Sequence, residues 1–309
     1  MLFTLIDKQS RQLGDFTASV YTLQTTEQGR VALTHAPAHK GSRPRGAIVM
    51  TAGMFSNRRF WLSDKGIGIA GYLVSRGFDC WMFERRGHGA SPQGDFKQQS
   101  LSYTIEHDLP AVQAFIQTKG FQRAIYMGHS FGGVMHCMSL ARGHLNPNGV
   151  EGIINFSSQL TVGKTFLNKP YSAVLYAITG LLGYFPSKML KMGPENESKA
   201  TMRDCCKLVE YAKGPHQHDF WRDIANIQCP VLGFGSAGDT VDPSEGCEAL
   251  VNGMSSKQKS FIHLSTENGH RKNYDHVGML ISKAAQEEVW PLVDDWLTRH
   301  RENNEESLN

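Results

Sequence analysis

Gly128-His129-Ser130-Phe131-Gly132, followed by Gly133, is the stretch on which the reading of this chain turns. Before it comes Ala124-Ile125-Tyr126-Met127, a short apolar run of the kind a buried strand shows. After it, residues 131–142 continue in a helical pattern. A serine at such a strand-to-helix join is forced into a sharp, strained turn. Small residues two positions to either side let strand and helix approach each other. The hydroxyl then projects above the sheet edge at the helix N-terminus, where the dipole favours developing negative charge. Ser130 is therefore the candidate nucleophile.

Outward from this point the chain alternates strands and helices. Residues 17–36 read as two strands around the polar turn Thr25 to Gly29. A loop rich in Pro, Gly and basic residues follows, Pro37 to Arg45. Ala47-Ile48-Val49-Met50-Thr51 and Asp79-Cys80-Trp81-Met82-Phe83 have the apolar runs of buried parallel strands. Gly152 to Phe156, Val231 to Phe234 and Phe261 to Leu264 read as further strands. Residues 64–76 and 103–119 read as helices, stopped by Gly77 and Gly120. A C-terminal helix is expected from Ala284 to His300 with an interruption near Pro291, then a frayed polar tail from Glu302 to Asn309. This alternation predicts an α/β class with a mostly parallel sheet. It breaks between Ser158 and Ile227, where an apolar stretch from Tyr171 to Phe185 and a polar helical pattern from Ser198 to Ala212 suggest an inserted helical cap. The expected division is a core of residues 1–157 and 228–309 with a cap of residues 158–227.

A serine hydroxyl is a weak nucleophile and needs a base held by an acid. An elbow of this kind takes its partners in the order Ser, Asp or Glu, His. The strand Val231 to Phe234 leads into Gly235-Ser236-Ala237-Gly238-Asp239-Thr240-Val241-Asp242-Pro243. Asp239, first after the Gly-rich turn, is the preferred acid. Asp242 is the second choice, with helix N-capping as its other reading. Two histidines, His270 and His276, lie in the loop after the last strand. His276 leads straight into the apolar segment Val277 to Ile281, which would hold its ring, and is preferred. His270, between Gly and Arg, is expected at the surface. The oxyanion needs two backbone N–H donors. Phe131 would supply one, and Met54, with Phe55 as the alternative, the other.

Other signals are read as structural. Arg85-Arg86-Gly87-His88-Gly89 is a tight turn after a strand. His129 is expected to pack or position. His216 and His218 form a pair without obvious carboxylate partners, so no metal site is expected. Walker and dinucleotide patterns are missing, and no cofactor is expected. The 309 residues carry a net charge of +3 with basic and acidic residues interspersed, which offers no nucleic-acid groove. The apolar run at the N-terminus is broken by Asp7 and Lys8, too early for a signal peptide. No stretch reaches the roughly 20 apolar residues of a membrane span. Six scattered cysteines are then expected as buried free thiols, and the chain in the cytoplasm.

Gly53-Met54, Arg86 to Gly89, Gly128 to Gly132, Asp239 and His276 together resemble the α/β-hydrolase superfamily. The segment from Gly53 through Trp61 to Glu84 is similar to the acid-lipase and cholesteryl-esterase branch. Phe185-Pro186-Ser187-Lys188, with His276-Val277-Gly278, is similar to bacterial hydrolases with a helical cap. The resemblance implies the α/β-hydrolase fold: a sheet of about eight strands, helices on both faces and a cap over the site. Superfamily members usually have His-Gly in the oxyanion loop; here Ala52 stands in place of that His, which leaves the backbone donors intact. A serine nucleophile sets the chain apart from haloalkane dehalogenases and epoxide hydrolases, which use Asp. The expected reaction is hydrolysis of a small hydrophobic ester or thioester. Amide, peptide or carbon–carbon cleavage by the same triad is the alternative within catalysis. A non-catalytic binding protein on this scaffold is the alternative outside it.

Overall fold

The computed structural model describes residues 2–38 and 44–306, with residues 301–306 by backbone alone. Part of the Pro37–Arg45 loop therefore lies outside the described residues. In chain order, the strands are β1 Thr4–Leu13, β2 Phe16–Thr26, β3 Gly29–Ala36, β4 Gly46–Thr51, β5 Phe78–Glu84, β6 Ala124–His129, β7 Val150–Phe156, β8 Tyr184–Phe185, β9 Glu197–Ser198, β10 Val231–Ser236 and β11 Lys259–Leu264. The helices are α1 Ile69–Ser75, α2 Leu101–Tyr103, α3 Leu109–Gln117, α4 Phe131–Ala141, α5 Tyr171–Leu182, α6 Lys199–Lys213, α7 Gln217–Ile224, α8 Ser244–Gly253, α9 Gly278–Ile281 and α10 Lys283–Glu306. Nine strands form one sheet in the order β1-β2-β3-β5-β4-β6-β7-β10-β11. β1, β2 and β3 run antiparallel, β3 pairs antiparallel with β5, and the other pairings of this sheet are parallel, while β8 and β9 form a separate antiparallel pair.

Strand alternation sends side chains to two apolar layers. Val49, Trp81 and Tyr126 join Val112 of α3 and Val134 of α4 on one face. Ile48, Met50, Met82 and Met127 join Leu73 of α1 and Val289 of α10 on the other. The helices thus cover both faces, as the βαβ reading requires.

Four sequence expectations change. The sheet has nine strands, because β1 was not foreseen. All of β1 before Leu13 is exposed, so a polar edge strand carries no apolar alternation to betray it. The helix expected over 64–76 starts only at Ile69, since Gly66 at φ +77° and Gly68 at φ +155° break helical geometry. Residues 103–119 contain a π-turn at Thr104–Asp108 before α3, and Pro110 follows it without an N–H to give. α10 runs through Pro291 unbroken to Glu306. Burial of Val289, Trp290, Val293 and Leu297 offsets the roughly 3 kcal/mol cost of an internal proline. Of the tail expected to fray, residues 307–309 lie outside the described residues.

Phe156 of β7 and Phe234 of β10 are fully buried and stack at 4.5 Å between ring centroids. Phe156→Ala is expected to lower the unfolding free energy by about 3–5 kcal/mol, read from urea denaturation. A loss below 1 kcal/mol would contradict this packing.

Candidate active site

β6 delivers Ser130 to the start of α4. Its backbone sits at φ 53°, ψ −128°, a left-handed conformation that costs a non-glycine residue on the order of 1–3 kcal/mol. The glycines around it are required sterically. A Cβ on Gly132 would fall 2.0 Å from the Thr51 carbonyl oxygen, and one on Gly128 would fall 2.3 Å from the Gly133 Cα. His136 of α4 adds a 2.7 Å hydrogen bond between its Nε2 and Thr51 Oγ1 of β4, tying the helix to the neighbouring strand. The elbow therefore occurs as read.

Asp239 follows β10 and His276 precedes α9. The Nδ1 of His276 donates to Asp239 Oδ2 at 2.9 Å, which leaves Nε2 as the basic nitrogen. The other carboxylate oxygen of Asp239 accepts the N–H groups of Val241 and Asp242, both at 2.9 Å. Burial pushes the Asp239 carboxyl up, but the His276 hydrogen bond and charge, with the backbone donors, outweigh it and hold the group below the usual carboxylate range. Buried Met279 and Leu280 anchor the turn after His276, as its sequence position suggested. His270 is not at the surface as expected: it is half-buried, with Nδ1 3.2 Å from Glu288 of α10.

His129 links Ser130 to His276. Its Nε2–H donates to the backbone carbonyl of His276 at 2.8 Å, and its ring packs 4.5 Å from the His276 ring and 4.6 Å from Phe60. Burial first, and the neighbouring His276 second, push its pKa down to about 3.

Asp242 differs from its sequence reading. Pro243, not Asp242, is the N-cap of α8. The Asp242 carboxylate is fully buried and accepts the Ser130 hydroxyl at 3.2 Å and Gln159 Nε2 at 2.7 Å. It also pairs with Lys164, whose ammonium lies 4.9 Å over the Phe131 ring. Burial raises its carboxyl above the ordinary value, against the pull of Lys164. In this arrangement the serine proton points to Asp242.

The loop after β4 lies against the serine: a Cβ on Gly53 would sit 3.0 Å from the Ser130 Cβ. Phe55, at φ 64°, gives its N–H to Glu197 Oε1 at 2.7 Å, and its carbonyl accepts the N–H of Glu195 at 3.0 Å. Its N–H is thus committed to Glu197. Arg85 holds Glu197 through two hydrogen bonds of 2.9 and 2.5 Å. His88 Nε2 donates to the carbonyl of Asn196 at 2.9 Å. Glu195 accepts from Asn57 Nδ2 at 2.6 Å and from the N–H of Gly89 at 3.1 Å. The Arg-Arg-Gly-His-Gly turn is therefore the anchor for residues 195–197, beyond a simple reversal of direction. Arg86 itself is buried on Asp108 at 2.8 Å.

Sequence reasoning missed Gln159, Lys164, Arg85, Glu195 and Glu197. One signal was present: no acidic residue occurs from Gly152 to Pro194, then Glu-Asn-Glu appears at once. His216 and His218 do have a carboxylate, Asp219, at 3.5 and 3.3 Å, but Arg222 occupies it at 2.7 Å. No group of three or more metal-binding side chains occurs among the described residues. The six cysteines are free thiols, five of them buried. No helix among the described residues is long and apolar enough to cross a membrane.

His129 and His136 each have pKa values pushed down to about 3, His136 by burial alone. Their ordinary value is 6.5, so the unfolded chain binds the extra protons. This stability is complete above pH 6.5 and is lost as pH falls below it. Between pH 7.5 and 5, each histidine removes about 2 kcal/mol. His136→Gln is expected to flatten the decline by that amount in urea titrations at the two pH values; an unchanged slope would refute the assignment.

The chain is similar to several known hydrolases. A tear acid lipase-like protein of Mesocricetus auratus is 28% identical over 134 residues, which span 39% of this chain and 34% of that protein. The putative carbamate hydrolase RutD of Pseudomonas savastanoi is 20% identical over 73% of this chain and 87% of its own length. Among solved structures, the monoacylglycerol lipase of Paleococcus ferrophilus superposes with TM-score 0.63 at 18% identity, covering 87% of this chain and 99% of that one. A soluble variant of the Saccharomyces cerevisiae monoglyceride lipase superposes with TM-score 0.66 at 16% identity, covering 96% of both chains. The family model of the serine aminopeptidases, S33 (Hydrolase_4), matches residues 42–220, more than half of the chain. The chain therefore belongs to this hydrolase family of the α/β-hydrolase superfamily.

Proposed function

We propose that the chain is a serine hydrolase that cleaves a carboxylic ester or thioester with a hydrophobic acyl group. The observation that carries this reading is the His276–Asp239 hydrogen bond beside a serine held in the left-handed elbow. Ser130 Oγ attacks the carbonyl carbon while His276 Nε2 takes its proton. The N–H groups of Phe131 and Met54 receive the oxyanion. Collapse expels the alcohol or thiol, which takes the proton from His276, and leaves Ser130 acylated. Water, deprotonated by the same nitrogen, then releases the acid and restores the serine.

The resting bond from Ser130 to Asp242 does not oppose this cycle. At 3.2 Å it is long for a hydroxyl–carboxylate contact, so rotation about the serine Cα–Cβ bond gives up little. Residues 158–227 serve in this proposal as the inserted cap on a core of residues 1–157 and 228–309. Leu175, Phe185, Met202 and Cys206 from that segment form an apolar cluster against Met54 and Phe55. This lining supports a hydrophobic acyl group next to the oxyanion loop.

The family's aminopeptidase name suggests a second reading, in which Asp242 would bind a substrate ammonium beside the nucleophile. Lys164 already occupies that carboxylate, which favours the ester reading.

Ser130→Ala is expected to cut turnover of p-nitrophenyl acyl esters at least about 10³-fold, with the unfolding midpoint preserved. Asp239→Asn is expected to lose a similar factor, while Asp242→Asn loses far less. Full activity in Ser130→Ala would sink the proposal. Faster turnover of aminoacyl anilides than of acyl esters would transfer it to the second reading.

A further inference from the structure

α5 is built inside out. Its twelve residues contain no charge, and those it buries are Ser172, Leu175 and Thr179. The residues it leaves exposed include Tyr171, Val174, Leu181 and Leu182. Tyr171, Val174 and Leu181 fall at helical spacing on one outward stripe, and Leu181 is 87% exposed. An amphipathic surface helix in a water-facing position has the reverse arrangement.

The chain leaves α5 through Gly183 and soon exposes Met189, Leu190 and Met192, with Met189 at 73%. These alternate with Lys188 and Lys191. Phe185 ties this stretch to the rest, packing on Phe55 and Phe166. A cleft of about 660 Å³ opens at the C-terminal end of α5, where Leu182 and Tyr184 meet Lys97, Lys199, Arg203 and Lys207. Asp204 is the acidic residue in its lining. From Gly152 to Pro194 the sequence has no acidic residue and four lysines, of which Lys169, Lys188 and Lys191 are at the surface and Lys164 is buried on Asp242.

An uncharged apolar stripe rimmed by lysines suits one kind of surface: apolar just below, negative on top. We propose that α5 and residues 188–192 dock the protein on an anionic lipid bilayer. The stripe enters the boundary between headgroups and acyl chains, and the lysine-lined cleft faces the headgroups. The helix lies in the plane of the surface and does not span it. This goes beyond the hydrolase reading and does not depend on it.

The test is sedimentation with vesicles of pure phosphatidylcholine and of phosphatidylcholine with 30 mol% phosphatidylglycerol, a composition chosen as roughly that of an anionic leaflet. The expected result is binding to the anionic vesicles at least about tenfold tighter, weakening as salt rises. Leu181→Asp/Met189→Asp and Lys188→Glu/Lys191→Glu are each expected to weaken it about tenfold or more while keeping the parent's thermal unfolding midpoint. Equal binding to both vesicles, or none, overturns the proposal. So does anionic binding that both folded variants retain. A dimer in sedimentation velocity that Leu181→Asp/Met189→Asp dissolves, without vesicle binding, assigns the surface to a second copy and also overturns it. Because binding is read without turnover, its failure leaves the ester-hydrolase reading intact, and loss of that reading leaves docking untouched.

Discussion

Ser130 holds a backbone conformation that its side chain disfavours, and the surrounding molecule is arranged to keep it there. β6 and α4 meet so closely that Gly128 and Gly132 have no room for a methyl group. The Ser130 N–H is fixed at 2.8 Å to the Phe156 carbonyl, so β7 sets the height of the turn. His136 bolts α4 to Thr51 of β4. Strain at one residue is thus held by three strands and a helix, each buried on both sides. The hydroxyl at the tip of this turn, buried and donating to Asp242, cannot relax into the sheet.

A second constraint fixes what faces the serine. The loop after β4 is held from the far side by Glu195 and Glu197, which engage both the N–H and the carbonyl of Phe55. Two charges buried together, Arg85 and Glu197, are costly to desolvate. Such a pair persists where its geometry is good and its remaining lone pairs are used. Here the Phe55 N–H uses one of them. The outcome couples the segment between β7 and β10 to the position of Met54. Asp239 and His276 are held separately, after β10 and before α9, with His129 of β6 bonded to the His276 carbonyl.

What could be read in the sequence was what local patterning decides. The sharp turn at Ser130 and the buried strands follow from short apolar runs and turn residues, and the meeting of Asp239 with His276 from their places after β10 and before α9. The anchoring of His276 was legible because Val277 to Ile281 is apolar. What escaped depends on distant partners. Lys164, Gln159 and Asp242 meet across some 80 residues of chain, and no spacing rule brings them together. β1 escaped because a polar edge strand leaves no apolar period. The late start of α1 escaped because Gly66 and Gly68 show their backbone angles only when folded. In α5 the apolar pattern was visible, but which side of it faced water was not, since Tyr171 and Val174 look inward-facing by composition alone.

The account stands or falls on Ser130 as the group that is acylated. Reaction of the folded protein with a fluorophosphonate, followed by intact-mass measurement and peptide mapping, tests this directly. The account predicts one adduct per chain, located on Ser130, and none on Ser130→Ala. A folded protein that takes up no label, or takes it up on another residue, would contradict it.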